Sequence, residues 1–121
     1  MKISIIGTGY VGLVSGVGFA SKGHDVTCVD IIQEKVDKIN EGVPPIYEKG
    51  LEDLLKEVVE NDKLAATTDT VKAVKDTEIT FICVGTPSRE DGSIDVSGIK
   101  KAAEDIVEAL EENEGYHVIF V

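Results

Sequence analysis

At 121 residues and 42% hydrophobic composition, the chain is long enough for one domain with a buried core. Its net charge of −11 argues against a nucleic acid or an anionic membrane as partner. No apolar run approaches the roughly 20 residues of a membrane span.

Met1-Lys2 opens directly into a strand-like run, so no signal peptide is expected and a cytoplasmic protein is the default. Ile3-Ser4-Ile5-Ile6 is β-branched and apolar, and leads into Gly7-Thr8-Gly9-Tyr10-Val11-Gly12. A helix is expected from about Tyr10 to Lys22. Strand, glycine turn and helix is the arrangement that binds a dinucleotide. Gly7 would let the chain turn sharply. Gly9 would let a pyrophosphate approach the backbone, and Gly12 would let the helix pack closely on the strand. The free N–H groups of the helix start would face the phosphates. Gly16, Gly18 and Ala20 keep this helix thin, for packing on the sheet or the cofactor. On spacing alone, a turn that only reverses the chain is the rival reading.

Gly23 stands where a helix C-cap glycine would. Asp25-Val26-Thr27-Cys28-Val29-Asp30 then reads as a buried strand ending in an acid. Asp30 follows Gly12 by 18 residues, close to the roughly 20 expected of the carboxylate that takes the ribose hydroxyls. Ile31 and Ile32 follow it, with no Arg for a 2′-phosphate, which favours NAD over NADP. The competing reading of Asp30 is a solvated strand end. A helix spans about Gln33 to Asn40. Lys35 on its first turn could reach the adenosine end of a dinucleotide, or be a plain exposed lysine.

Gly42 to Gly50 is a loop, since Pro44 and Pro45 forbid a helix interior, and its apolar character suggests a functional lid. Leu51, Leu54, Leu55, Val58 and Val59 recur at helical spacing from about Leu51 to Asn61. A short strand is expected over Leu64–Thr68, then a brief helix capped by Asp69 or Thr70. Ile79 to Val84 lacks alternation and reads as a central strand covered on both faces. It ends in Gly85-Thr86-Pro87-Ser88, at the edge where ligands sit in such folds. Gly85 would admit the backbone of this loop to the ligand, and Thr86 could donate a hydrogen bond, unless this is an ordinary turn. Ile99, Ala102, Ala103, Ile106, Val107 and Leu110 mark another helix, capped near Asp95 or Ser97. His117 to Val121 starts a fifth strand. The chain stops inside it, so a truncated or split protein is expected. The surplus acid, in Glu52–Asp62 and Glu104–Glu114, looks like solvated helix faces.

Cys28 and Cys83 read as buried, reduced strand residues. No metal-ligand cluster stands out. His24 and His117 are lone residues with no assigned role. The expected fold is α/β: a doubly wound, Rossmann-type parallel sheet of five strands in the order 3-2-1-4-5, helices on both faces, filling residues 1–121.

GTGYVGLVSG (7–16), VTCVD (26–30), Lys35, PIYEKGL (45–51) and VGTPSREDGSID (84–95) resemble the UDP-glucose/GDP-mannose dehydrogenase family. The likeness covers essentially the whole chain, although the family's loop has Pro where Lys49 stands. It implies a two-step oxidation of the 6-hydroxyl of a nucleotide sugar to a carboxylate, with NAD as cofactor. The likeness leans to members acting on UDP-glucose. It implies that the backbone at Tyr10 and Val11 contacts the pyrophosphate, that Asp30 and Lys35 hold the ribose, and that Val84, Gly85 and Thr86 line the nicotinamide side. It also implies a homodimeric full-length enzyme, with a central helix and a second domain holding the catalytic cysteine. Neither Cys28 nor Cys83 matches that cysteine, so no catalytic residue is named here, and the isolated chain is expected to be inactive. Two alternatives stand beside this: a self-contained NAD-sensing regulatory module, and a dehydrogenase for another nucleotide sugar, such as a UDP-N-acetylhexosamine or GDP-mannose.

Overall fold

The structure, a computed structural model, describes residues 1–46, 48–84, 91–92, 97–111 and 117–120. The chain runs β1 (Lys2–Ile6), α1 (Tyr10–Ser21), β2 (Asp25–Val29), α2 (Gln33–Asn40), α3 (Leu51–Glu60), β3 (Leu64–Thr67), α4 (Thr70–Lys75), β4 (Ile79–Ile82), α5 (Ser97–Glu111) and β5 (Val118–Phe120). The strands form one parallel sheet in the order β3-β2-β1-β4-β5, as the sequence predicts.

Alternate residues of the central strands feed two cores. Ile3, Ile5, Val26 and Cys28 pack under α1 and α3 with Leu13, Val17 and Leu55. Ile6 and Val29 pack on the opposite face with Val74 of α4 and Ala102 and Ile106 of α5. β1 and β2 are therefore apolar on both sides, the mark of a strand buried in a parallel sheet. Ser4 and its register partner Thr27 are the polar exceptions, and Ser4 is the fully buried one. Its Oγ lies 2.7 Å from Thr80 Oγ1 and accepts from Thr77 Oγ1 at 3.0 Å, so the buried hydroxyls satisfy one another. The edge strand β3 is tied by Asn40, which donates to the Ala66 carbonyl at 3.0 Å and accepts from its amide at 2.8 Å. That blunts an edge open to pairing.

Several expectations shift. Gly16 is packed, with the Cys28 Sγ 3.1 Å from where a Cβ would stand, but Gly18 meets nothing within 4 Å and faces solvent. Leu54 and Val107 match the apolar spacing yet point outward, 46% and 58% exposed. Ala103 is exposed as well, and Ala109 takes an inward position instead. β4 ends at Ile82 and only Thr80 is buried in it. Its α1-side face carries Phe81 stacked between Phe19 and Phe120, with ring centroids 5.3 and 5.0 Å apart. Phe19 belongs to α1, so that helix reaches this face through one ring, and Ile79, Phe81 and Ile82 stay only half-buried. The loop before α3 is not a free lid in its described part: Ile46 packs on the first core, and none of residues 42–46 or 48–50 lines the cleft described below.

Candidate functional site

The parallel register brings the carboxyl ends of β1, β2, β3 and β4 to one edge. Ile6 pairs with Val29 on one side and Ile82 on the other. The ladder continues one residue further. Gly7 N donates to Val29 O at 2.7 Å, Cys83 N to Ile6 O at 2.8 Å, and Asp30 N to Thr67 O at 3.2 Å. Gly7, Asp30, Thr68 and Cys83 therefore stand side by side at the edge where ligands bind in such sheets. An open cleft of about 1190 Å³ lies there. The glycine bend, Asp30, Lys35 and Val84 line it, and α5 supplies Lys101 and Asp105 from across.

The bend has a closed side and an open side. Gly7 has φ +104°, a left-handed conformation that glycine adopts freely. A Cβ there would lie 2.6 Å from the Cys83 carbonyl oxygen. A Cβ on Gly12 would lie 2.0 Å from the Gly7 carbonyl oxygen and 3.3 Å from the Cys83 Cβ. Gly12 thus makes room first for Gly7, the residue that follows β1, and then for Cys83, the residue that follows β4. Gly9 differs: among the described residues nothing lies within 4 Å of its missing Cβ. Gly9 is the N-cap of α1, and its carbonyl accepts from Leu13 N at 3.0 Å. The amides of Gly9, Tyr10, Val11 and Gly12 consequently have no acceptor inside the helix. Gly9 has no side chain to cap them, and no acid sits in the first turn. Tyr10 and Val11 are 56% and 65% exposed. An open glycine before uncapped amides is a cradle for an anion.

Asp30 sits beside this cradle. Its Oδ2 accepts from the Thr8 amide at 3.2 Å and the Thr8 hydroxyl at 2.5 Å, and its Oδ1 accepts from the Ile32 amide at 3.0 Å. Burial pulls its pKa upward, but the Thr8 hydroxyl, the Ile32 and Thr8 amides and the nearby Lys35 charge outweigh that, and the carboxyl is held below its ordinary 3.8. Lys35 is half-buried in the first turn of α2, where its charge opposes the helix dipole. Ile31 and Ile32, 87% and 46% exposed, put apolar surface on the rim.

The sequence reading missed Thr8, which is fully buried. Its signal was a hydroxyl residue between two glycines, at the end of a strand paired with one that ends in an acid. The structure brings Gly7, Gly9, Tyr10, Val11, Gly12, Asp30, Lys35 and Val84 around one cleft, while Gly85 and Thr86 lie outside the described residues. Gly12 alone is not on its surface. Cys28 is buried and its thiol is pushed up to about 12, by burial first and by Cys83 second. Cys83 lies just past β4 and is half-buried rather than buried, and burial raises its thiol as well. Both are free, and neither environment favours a nucleophilic thiolate. Among the described residues no group of three His, Cys, Asp or Glu could hold a metal ion, and no helix is long and apolar enough to cross a membrane.

A doubly wound parallel sheet with an anion cradle and a restrained carboxylate at its carboxyl edge defines a dinucleotide-binding domain of the Rossmann type. The chain belongs to the UDP-glucose/GDP-mannose dehydrogenase family, whose NAD binding domain matches residues 1–121. It is 43% identical to the GDP-mannose 6-dehydrogenase of Pseudomonas aeruginosa over 121 residues, all of this chain and 28% of that protein. It is 46% identical to the UDP-glucose 6-dehydrogenase TuaD of Bacillus subtilis over 118 residues, 98% of this chain and 25% of that protein. A crystal structure of a ternary complex of GDP-mannose dehydrogenase from Pseudomonas aeruginosa superposes with a TM-score of 0.95 at 43% identity, covering 98% of this chain and 27% of that one. The chain thus spans about a quarter of the length of these relatives. NAD is the cofactor of this domain, and the open Gly9, the uncapped amides and the Asp30 carboxylate fit it.

Proposed function

We propose that residues 1–121 are the cofactor-binding unit of a longer, homodimeric, cytoplasmic enzyme that oxidises carbon 6 of a nucleotide sugar, with UDP-glucose as the substrate. The observation that carries the binding reading is the Asp30 carboxylate held by Thr8 in the middle of the glycine bend. In this reading the amides of Gly9, Tyr10 and Val11 take the pyrophosphate. Asp30 accepts from the adenosine ribose, with Lys35 beside it. Ile31 and Ile32 offer apolar surface to the adenine, and Val84, with Gly85 and Thr86, lines the nicotinamide side. NAD supplies the hydride acceptor; the residues of this chain bind and orient it. Asp30 excludes a 2′-phosphate by charge, which selects NAD over NADP. The 46% identity to a UDP-glucose 6-dehydrogenase supports the choice of sugar.

The cofactor reading is tested by calorimetry on the intact chain with Asp30→Ala. NAD affinity should fall by about tenfold or more, the loss of a charge-assisted hydrogen bond. Unchanged affinity would overturn the role of Asp30. Incubating the 121-residue chain with UDP-glucose and NAD should yield no UDP-glucuronate, because neither cysteine is an activated nucleophile. The sugar is tested on the longest natural polypeptide containing these residues, where NADH formation should be faster with UDP-glucose than with GDP-mannose. The reverse order would overturn that choice.

A further inference from the structure

Thr8 directs both of its donors, the hydroxyl and the amide, to one side chain. Its hydroxyl has a single proton, and that proton goes to Asp30 Oδ2 at 2.5 Å. Its amide reaches the same oxygen at 3.2 Å. A carboxylate has about four lone-pair positions. Thr8 fills two on Oδ2 and the Ile32 amide fills one on Oδ1 at 3.0 Å, so the free position is on Oδ1. Thr8 itself is 0% exposed, although it borders the cleft.

We propose that Thr8 is a positioning residue: it holds the Asp30 carboxylate in one orientation before cofactor arrives, and thereby sets the affinity for NAD and the rejection of NADP. The inference rests on the reading of Asp30 as the ribose acceptor. A carboxylate free to rotate would lose entropy on binding, and one left with an empty buried lone pair would be more readily protonated. Thr8 on Oδ2, with the Ile32 amide on Oδ1, reduces both costs. Because its amide lies between Gly7 and Gly9, the same residue ties the ribose acid to the bend that presents the phosphate amides. Besides Asp30, the charged groups on the cleft walls among the described residues are Lys35 on α2, Asp69 at the head of α4, and the Lys101–Asp105 pair on α5. Of these, Lys35 is the one whose charge acts on Asp30.

The test compares Thr8→Val, Thr8→Ser and Asp30→Ala in the intact chain by calorimetry with NAD and NADP across the acid range. Circular dichroism confirms that each variant folds. Thr8→Val keeps the shape and removes the proton, so NAD binding should weaken about tenfold, the preference over NADP should narrow, and the acid limb of binding should move to higher pH. Thr8→Ser should restore all three, which a packing role for the methyl would not. Should Thr8→Val fail to fold, a ¹³C titration of the Asp30 carboxyl in Thr8→Ala and Thr8→Ser carries the test: the Ala variant should titrate at higher pH than the Ser variant. Asp30→Ala with full NAD affinity would sink the ribose reading and this inference with it. Asp30→Ala weakened while Thr8→Val binds normally, or equal titration in the Ala and Ser variants, would overturn the role of Thr8 alone.

Discussion

The two sides of the glycine bend obey different rules. On the inner side, Gly7 and Gly12 are glycines because protein atoms already occupy the place of a side chain: the Cys83 carbonyl at 2.6 Å and the Gly7 carbonyl at 2.0 Å. On the outer side, no described residue comes within 4 Å of the Cβ that Gly9 lacks, and its backbone at φ −73°, ψ −168° is one that any residue adopts. The fold therefore demands two of the three glycines and is indifferent to the third. Open space alone also surrounds Gly18, so what sets Gly9 apart is that its space lies in the cleft, against the first amides of α1 and beside Asp30.

Substitutions break this comparison in a defined order. Gly12→Ala should be the most damaging, since rigid backbone at 2.0 Å cannot yield: about 3 kcal/mol or more of stability, read by urea unfolding, or no folding at all. Gly7→Ala follows, losing about 1–3 kcal/mol from its positive φ, with the contact at the Cys83 carbonyl added. Gly9→Val should change stability by only about 0.5 kcal/mol while weakening NAD by tenfold or more, because its side chain fills the cradle. Equal destabilisation by all three changes would erase the distinction between the sides.

The smallest effect lies away from the cleft. His117 Nε2 sits 2.7 Å from Thr80 Oγ1, on the buried chain of hydroxyls that includes Ser4 and Thr77. Burial pushes its pKa below the ordinary 6.5, against a weaker upward pull from the Thr77 backbone. The unfolded chain therefore binds the proton more readily. The neutral imidazole's contribution is complete above pH 6.5 and declines as pH falls through the lower folded value. Urea midpoints should fall modestly between about pH 7 and 5, and His117→Gln should flatten that slope. Asp30, also depressed, acts lower down: its contribution holds above 3.8 and is lost as pH falls below it.

Local patterns carried most of this architecture. The order of strands, the bend and the placement of Asp30 beside it follow from spacings within the first 30 residues and from unbroken apolar strands. What escaped was set by distant partners. Thr8 gains its meaning from Asp30, 22 residues on, and His117 from Thr80, 37 residues back. Leu54 and Val107 fit an inward stripe, but a periodic pattern does not say how wide a face the sheet can cover. β4 looked fully buried because its apolar run is continuous, yet only Thr80 is, and Phe81 is half-buried in a stack between Phe19 of α1 and Phe120 of β5. The cleft residues Lys101 and Asp105 read only as a solvated helix face, since nothing in their own segment points to the glycine bend.

The most direct measurement is a ¹⁵N amide-shift titration of the intact chain with NAD. Bound diphosphate at the open side of the bend predicts the largest, saturable shifts at Gly9, Tyr10 and Val11, with Thr8 and Ile32 moving as Asp30 takes the ribose, and far weaker response to NADP. Saturable shifts confined to the opposite edge of α1, around Phe19, Phe81 and Phe120, or no response at all from the folded chain, would contradict the account.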